Sequence, residues 1–138
     1  MKKRKLFIRV VLTICITSMS LIAISQTTPW MVPEKYVKMS NPVKADAKSI
    51  AAGKALYLVN CEACHGKKGF GNGTKAPDLK TAPGNFSKVT FQSQTDGAIF
   101  YKITEGRKEM PKSKKDLPNA IDRWNLVNYL RTLATGKN

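Results

Sequence analysis

Cys61-Glu62-Ala63-Cys64-His65 is the stretch of this sequence that decides the fold. Its two cysteines are three positions apart, so on one helical turn their thiols lie on the same face, and the next residue presents an imidazole beside them. This Cys-x-x-Cys-His pattern is typical of covalent haem attachment, in which each thiol forms a thioether with a haem vinyl group and the histidine binds the iron. The sequence therefore predicts one haem c, held through Cys61 and Cys64, with His65 as an iron ligand.

Other interpretations of this motif are disfavoured by the rest of the chain. A thioredoxin-type redox pair needs alternating strands and helices and a lowered thiol pKa, and the sequence has no such alternation. A structural zinc site needs four Cys or His ligands, yet outside the motif the chain has only Cys15 and no second histidine. A disulfide between Cys61 and Cys64 is compatible with the spacing but uncommon.

The N-terminus has the pattern of a secretory signal peptide. Residues 2–5 are basic, residues 10–24 form an apolar run, and Ala23 and Ser25 are the small residues that a signal peptidase reads. We predict a signal peptide over residues 1–25, with an uncleaved membrane anchor as the alternative. Export suits haem attachment, which takes place outside the cytoplasm in bacteria. The predicted location is periplasmic, either free or associated with the membrane.

At 138 residues the chain has room for one domain. Residues 26–47 contain Pro29, Pro33 and Pro42 without a sustained helical or strand period, so we predict an extended N-terminal arm there. This arm is expected either to dock on the domain or a membrane surface, or to pack only loosely. The predicted domain covers the residues that follow, 48–136.

Apolar residues at helical spacing from Ala47 to Cys64 predict a helix that leads into the motif. Gly53 in its middle lowers helix propensity by about 1 kcal/mol relative to alanine, which suggests that another backbone approaches there. Residues 66–92 are rich in glycine, proline and lysine and predict a long loop that wraps a flat cofactor. The apolar side chains of this loop are expected to face the cofactor or the core: Phe70, Pro77, Leu79 and Phe86.

Two further helices are predicted toward the C-terminus. The first is short, is capped by Thr95 or Ser93, and ends before Gly106. The last helix begins after Asn119, ends at Gly136, and presents a broad apolar face for packing against the helix that precedes the motif. Its apolar positions recur at helical spacing: Ile121, Trp124, Val127 and Leu130.

What fills the second axial position of the iron decides between electron transfer and catalysis. His65 is the only histidine, so a methionine, a weaker group or no group remains for that position. Met31 and Met39 precede the motif, whereas Met110 follows it, far enough along for the chain to cross to the opposite face. Because Met110 precedes Pro111 in a loop rather than lying on an apolar helix face, we predict His65 and Met110 as the two metal ligands.

Over residues 49–133 the sequence resembles a class I bacterial monohaem cytochrome c. The specific features are the Cys61–His65 motif and the Met110-Pro111 pair. The supporting features are Gly53, Tyr57, Pro77, Leu79, Leu126, Tyr129 and Leu130.

This resemblance implies an all-α cytochrome c fold, with three to four helices wrapped around one covalently bound haem c and with crossed N- and C-terminal helices. In that family the two helices cross at the glycine and aromatic positions, which gives Gly53 a packing reason. The resemblance also implies that the Pro77 carbonyl accepts a hydrogen bond from His65, which fixes the imidazole tautomer. Tyr101 and Trp124 are candidates to hydrogen-bond the haem propionates.

An iron with both axial positions filled changes oxidation state but offers no site for a substrate. We therefore predict an electron carrier, not an enzyme, that shuttles single electrons between exported or membrane-bound redox partners. Two alternatives remain open. One is a haem enzyme or ligand sensor from which Met110 dissociates, and the other is a cytochrome subunit held in a membrane respiratory complex through the N-terminus.

The charge balance indicates acidic partners. The formal net charge is +15, and the first 25 residues carry five basic groups and no acid, so cleavage would leave +10. For an exported protein we expect no nucleic acid, but rather redox proteins with acidic docking patches, such as a terminal oxidase or a dehydrogenase, or an anionic membrane surface. The lysines expected to surround the haem edge are Lys67, Lys68, Lys75, Lys112, Lys114 and Lys115.

Overall fold

The computed structural model describes residues 29–134, and the predicted signal peptide over residues 1–25 lies outside the described residues. The compact unit that contains the attachment motif begins at Met31. Within the described residues the structure has no strand, only a bridge between Arg107 and Met110, and the helical prediction is confirmed. None of the helices there is long and apolar enough to cross a membrane.

The helices are, in chain order, α1 (Glu34–Val37), α2 (Ala47–Asn60), α3 (Glu62–His65), a 3-10 turn (Ala76–Asp78), α4 (Val89–Gln92), α5 (Asp96–Glu105), α6 (Ser113–Asp116) and α7 (Ala120–Arg131). The three long helices, α2, α5 and α7, begin after residues whose side chains accept a backbone N–H of the first turn. These caps are Asp46, Thr95 and Asn119, at 2.9, 3.2 and 3.0 Å.

Thr95 is thus the cap of α5, and α5 ends before Gly106 as predicted. The end of the last helix was predicted wrongly: α7 stops at Arg131, not at Gly136. The Thr132 hydroxyl donates to the Tyr129 carbonyl at 2.7 Å, and a side chain that bonds to the local backbone in this way competes with continued helix.

The first and last long helices cross at Gly53. A Cβ built on Gly53 would overlap the Asn125 carbonyl oxygen and would lie 2.9 Å from Tyr129 Cβ. One turn further on, the Tyr57 ring is fully buried against the Tyr129 ring, with their centroids 5.2 Å apart. The predicted crossing of α2 and α7 is therefore confirmed, and the missing side chain of Gly53 sets how closely the helices approach.

The central part of helix α7 is buried on every side, not only on its apolar face. All residues from Arg123 to Leu130 are buried, and this stretch includes Asn125 and Asn128. The Arg123 guanidinium donates to Thr104 Oγ1 at 3.1 Å and to the carbonyls of Leu117 and Pro118. Buried polar groups need such partners, so the arginine fastens α7 to α5 and to the segment after α6.

The N-terminal arm and Ser49 of α2 supply hydrogen bonds to the two buried asparagines. Asn41 Nδ2 donates to Asn128 Oδ1 at 2.7 Å, and Asn128 Nδ2 donates to the Val43 carbonyl at 3.1 Å and to Ser49 Oγ at 2.7 Å. Ser49 Oγ in turn donates to Asn125 Oδ1 at 2.8 Å. These bonds tie the arm to one face of α7.

The same arm also packs on α5. The ring of Tyr36 in α1 lies 4.8 Å from the ring of Tyr101, measured between centroids. Gly97 has no room for a side chain, because a Cβ there would overlap the Tyr36 carbonyl oxygen. Residues 31–47 thus dock on the domain, which is one of the alternatives that the sequence left open, and they contain a short helix and belong to the compact unit.

Candidate haem-binding site

The attachment motif occupies the short helix α3, directly after α2. The Cys61 N–H donates to the Tyr57 carbonyl at 2.9 Å, and the Cys64 and His65 N–H groups donate to the Cys61 carbonyl at 3.2 and 2.9 Å. Both cysteines are free and half-buried. Burial, followed by the charge of Cys64, raises the pKa of the Cys61 thiol to about 11. A redox-active Cys-x-x-Cys pair has a lowered thiol pKa, so this environment disfavours the thioredoxin-type alternative.

The imidazole of His65 has one nitrogen occupied and one available. Its Nδ1 lies 3.2 Å from the Gly84 carbonyl oxygen. A carbonyl only accepts, so the proton is on Nδ1 and the lone pair is on Nε2. Burial lowers the pKa of His65, with the Gly84 contact acting against that shift, and the neutral imidazole is the form that binds metal.

The carbonyl beside His65 was predicted wrongly as that of Pro77. Pro77 is exposed in the 3-10 turn, and the chain continues beyond it so that Gly84 lies at the imidazole instead. The physical role implied by the resemblance, fixing the tautomer through a backbone acceptor, is kept by a different residue. No side chain is involved, so residue type alone gives little signal for Gly84.

The ring of Phe86 packs on one face of the same imidazole. Its ring stacks on His65 with centroids 4.4 Å apart and planes 23° apart, and it is 8% exposed. Phe86 was predicted to face the cofactor or the core, and it lies in the core. Phe70, from the same prediction, is 43% exposed and so does not lie in the core, and its contact with the cofactor stays a prediction. Loop residues 84–86 thus contact His65 through both a carbonyl and a ring.

Backbone hydrogen bonds tie residues 71–75, in the loop that follows the motif, to α3. The N–H groups of Gly71, Gly73 and Lys75 donate to the carbonyls of His65, Cys64 and Ala63 at 2.8, 3.1 and 2.8 Å. The loop after the motif is therefore held against α3 residue by residue.

A further hydrogen bond joins α2 to Gly66, the residue that follows α3. The Tyr57 hydroxyl donates to the Gly66 carbonyl at 2.6 Å. Because Tyr57 is fully buried, this bond fixes the end of α3 to the interior of the domain.

Met110, the second predicted iron ligand, lies in a tight turn. Arg107 and Met110 exchange two backbone hydrogen bonds of 3.0 Å each. Lys108 inside the turn has a φ of +55°, a conformation that non-glycine residues adopt rarely. Met110 itself is half-buried.

The turn and the motif loop are brought together through Glu109. Its carboxylate accepts from the N–H groups of Lys80 and Thr81, both at 2.9 Å. These two hydrogen bonds are the main reason that the pKa of Glu109 is lowered. The sequence carried no signal for this contact, which joins residues 28 and 29 positions apart.

The donor set fits haem c. Cys61 and Cys64 present two free thiols on one turn, and His65 presents a neutral imidazole whose Nε2 is available. Cys61 and Cys64 would hold the porphyrin covalently and His65 would bind its iron, while Met110 as a second ligand stays a prediction. When bound, the haem supplies a one-electron couple between Fe(II) and Fe(III).

The sequence also proposed Trp124 and Tyr101 as partners of the haem propionates, and six lysines around the haem edge. The Trp124 ring is buried and stacks on Phe100 with centroids 4.0 Å apart, and Tyr101 packs on the arm. Their assignment to the propionates stays a prediction. All six lysines predicted to surround the haem edge are exposed: Lys67, Lys68, Lys75, Lys112, Lys114 and Lys115.

Comparison with known proteins gives related cytochromes. Residues 48–130 match the family model described as cytochrome c oxidase, cbb3-type, subunit III. The cbb3-type cytochrome c oxidase subunit CcoP of Azospirillum sp. (strain B510) is 34% identical over 111 residues, which are 74% of this chain. The chain spans only about a third of that relative, 34% of its length.

A solved structure shares the fold. It is a chain of the Kuenenia stuttgartiensis reducing HAO-like protein complex Kustc0457/Kustc0458, which is 24% identical and superposes with a TM-score of 0.63. The match covers 80% of this chain and 53% of the other. The family model covers more than half of the chain, and the predicted all-α cytochrome c fold and the resemblance to class I monohaem cytochromes c are confirmed. The chain belongs to the family of cbb3-type cytochrome c oxidase subunit III domains, and as a c-type cytochrome it carries covalently bound haem c.

Proposed function

We propose that this protein is a monohaem electron carrier whose iron is bound by His65 and Met110. The observation that carries this proposal is the state of His65, whose Nδ1 donates to the Gly84 carbonyl while Nε2 remains available as a ligand. The imidazole is stacked on Phe86 and held by a neighbouring backbone acceptor, so its orientation is set before any ligand binds.

Met110 completes the proposed centre. Its turn is joined through Glu109 to the loop that follows the motif, which supports placing the thioether on the side opposite His65. A thioether raises the reduction potential relative to a second imidazole and leaves no open position for a substrate. The proposed role is therefore electron transfer and not catalysis on a bound molecule.

The partners we propose are acidic redox proteins outside the cytoplasm. The exposed lysines near the motif and near Met110 would attract an acidic patch and speed encounter. Because exposed charges are screened by salt, the rate of electron transfer to such a partner should fall as ionic strength rises. A rate that is independent of ionic strength would contradict this docking mode.

A second candidate follows from the family match. The relative from Azospirillum is a subunit of a cbb3-type oxidase, so this chain can serve as the cytochrome domain of a terminal oxidase complex. Its N-terminal segment would then act as the membrane anchor that the sequence offers as an alternative to a signal peptide. Extraction that requires detergent, and co-purification with an oxidase core, would favour this second role over a free carrier.

The ligand assignment is tested with Met110→Ala in the oxidised haem-loaded protein. We expect a methionine-to-iron charge-transfer band in the wild-type absorption spectrum and its complete loss in the variant. Met31→Ala is the matched control, because Met31 is 80% exposed and should leave the band unchanged. A wild-type spectrum without the band, or a band that survives in Met110→Ala, would contradict His65/Met110 ligation.

A further inference from the structure

One side chain joins the Met110 turn to the loop after the attachment motif. Glu109 uses both carboxylate oxygens, Oε1 on the Lys80 N–H and Oε2 on the Thr81 N–H, each at 2.9 Å. Hydrogen bonds to an ionised acceptor are stronger than those between neutral groups. We call this pair of hydrogen bonds the Glu109 clamp.

The loop that receives the clamp is itself tied to the haem motif. Lys75 N–H donates to the Ala63 carbonyl at 2.8 Å, and the 3-10 turn that follows is closed by bonds from Asp78 to Lys75 and from Leu79 to Ala76, at 3.2 and 3.3 Å. Residues 80 and 81 come directly after this turn. A run of backbone hydrogen bonds therefore leads from α3, which carries His65, to the two N–H groups that Glu109 binds.

The backbone hydrogen bonds inside the turn that carries Met110 are local. Its own hydrogen bonds run between Arg107 and Met110, within the turn, and Lys108 adopts an unfavourable positive φ. The nearby ion pair of Lys112 with Glu105 is long, at 3.8 Å, and the Lys112 side chain is 73% exposed. Exposed pairs of this kind contribute little.

We propose that Glu109 is a positioning residue that holds the Met110 turn in register with the loop that follows the His65 motif. The inference rests on the proposed function, in which Met110 binds the iron. It assigns to the neighbouring carboxylate the task of keeping the thioether close to its binding position. Without the clamp the turn would spend more time displaced, and a competing ligand would enter more readily.

The test uses the full haem-loaded protein in the oxidised state and imidazole as the competing ligand. Glu109→Gln keeps the size of the side chain but replaces one acceptor oxygen with an NH2 group that faces a backbone N–H. We expect the apparent affinity for imidazole to rise about threefold to tenfold, the range given by the loss of one such hydrogen bond. Amide hydrogen exchange at Lys80 and Thr81 should become faster in the same variant.

Two further variants separate the effect of the position of the Glu109 carboxylate from the effects of net charge and of general stability. Glu105→Gln removes the same charge from the same region without touching the clamp, and its imidazole affinity should stay within about twofold of wild type. Glu109→Asp keeps the charge but is one methylene too short to reach both N–H groups, so it should behave like Glu109→Gln.

The outcomes are distinct. If Glu109→Gln has wild-type imidazole affinity, or if Glu109→Asp does, the positioning role is overturned even when thermal stability falls. If Glu105→Gln has the same effect as Glu109→Gln, the net charge is responsible and the proposal is again overturned. If Met110→Ala binds imidazole no more tightly than wild type, the proposed ligation itself fails, and the positioning role fails with it for that separate reason.

Discussion

The segment that carries His65 and the segment that carries Met110, the second proposed ligand, are built in different ways. The histidine side comprises residues 61–86. Its loop is held by hydrogen bonds from the N–H groups of Gly71, Gly73 and Lys75 to carbonyls of the motif, and its imidazole contacts a carbonyl at Nδ1 and stacks on a phenyl ring. The methionine side, residues 106–117, consists of a tight turn, a one-turn helix and the exposed Glu109 clamp.

This difference indicates where the site opens. Segments with solvent-exposed hydrogen bonds have low local stability, and the turn at residues 107–111 is held by such bonds through Glu109, whereas Leu117 at the end of the methionine side is buried in the core. The histidine side shares its contacts with the core through Tyr57 and Phe86. Competing ligands and early local unfolding should therefore act on the proposed bond between Met110 and the iron, while His65 and the cysteines stay in place.

The largest expected effect comes from breaking the covalent attachment on the histidine side. The double variant Cys61→Ala and Cys64→Ala should lose all haem on a denaturing gel stained for haem peroxidase activity, because no thioether remains. Met110→Ala, on the methionine side, should keep its full haem stain under the same conditions. Haem that stays on the denatured double variant would refute attachment through these thiols.

A substitution at Gly73 should show how tightly the histidine side is packed. A Cβ on Gly73 would overlap the Ala63 and Glu62 carbonyl oxygens and lie 2.6 Å from the Ala63 carbonyl carbon. Gly73→Ala should therefore reduce the free energy of unfolding by about 1–3 kcal/mol, as overpacking does, measured by urea unfolding. Gly84→Ala is the matched control, since a Cβ there meets nothing within 4 Å and its carbonyl is kept. Equal effects at both positions would contradict the packing argument.

The smallest expected effect concerns the Tyr57 hydroxyl. Tyr57→Phe removes the 2.6 Å bond to the Gly66 carbonyl and should lower the free energy of unfolding by about 1–2 kcal/mol at neutral pH. Burial raises the pKa of Tyr57 above its usual value. The stabilisation by the Tyr57 hydroxyl is then complete below the pKa of tyrosine in the unfolded chain, about 10. It declines as the pH rises toward the higher pKa of Tyr57 in the folded protein. Urea unfolding of the wild type and of Tyr57→Phe, at neutral pH and at a pH above about 10, should show that the difference between their free energies of unfolding becomes smaller at the higher pH. A difference that grows with pH would contradict this expectation.

Local chemistry in the sequence was enough for the starts of the long helices and for the motif, but the short helices α1, α4 and α6 and the end of α7 were not predicted correctly. Caps such as Thr95 and Asn119 act on the next few residues, and an apolar period or a Cys-x-x-Cys-His run is complete within its own segment. These features were predicted correctly because nothing distant decides them. The crossing at Gly53 could be predicted because the resemblance supplied its distant partner.

Features that depend on distant partners were missed. The arm was taken as extended because its partners, such as Asn128 for Asn41, lie 87 residues away. The acceptor for His65 was taken as Pro77, whereas the path of the loop brings Gly84 to the imidazole 19 residues after it. The Glu109 clamp binds backbone N–H groups, which every non-proline residue has, so no side-chain pattern predicts it.

The buried asparagine network has a consequence for where this domain can be cut. The family match begins at residue 48, but Asn128 has hydrogen-bond partners at Asn41 and Val43, both before that boundary. A fragment that begins at residue 48 would expose the Asn128 amide and one side of the last helix to water, and would bare the Tyr101 ring. The smallest unit that purifies as a stable protein should therefore retain the arm, even though the family boundary excludes it.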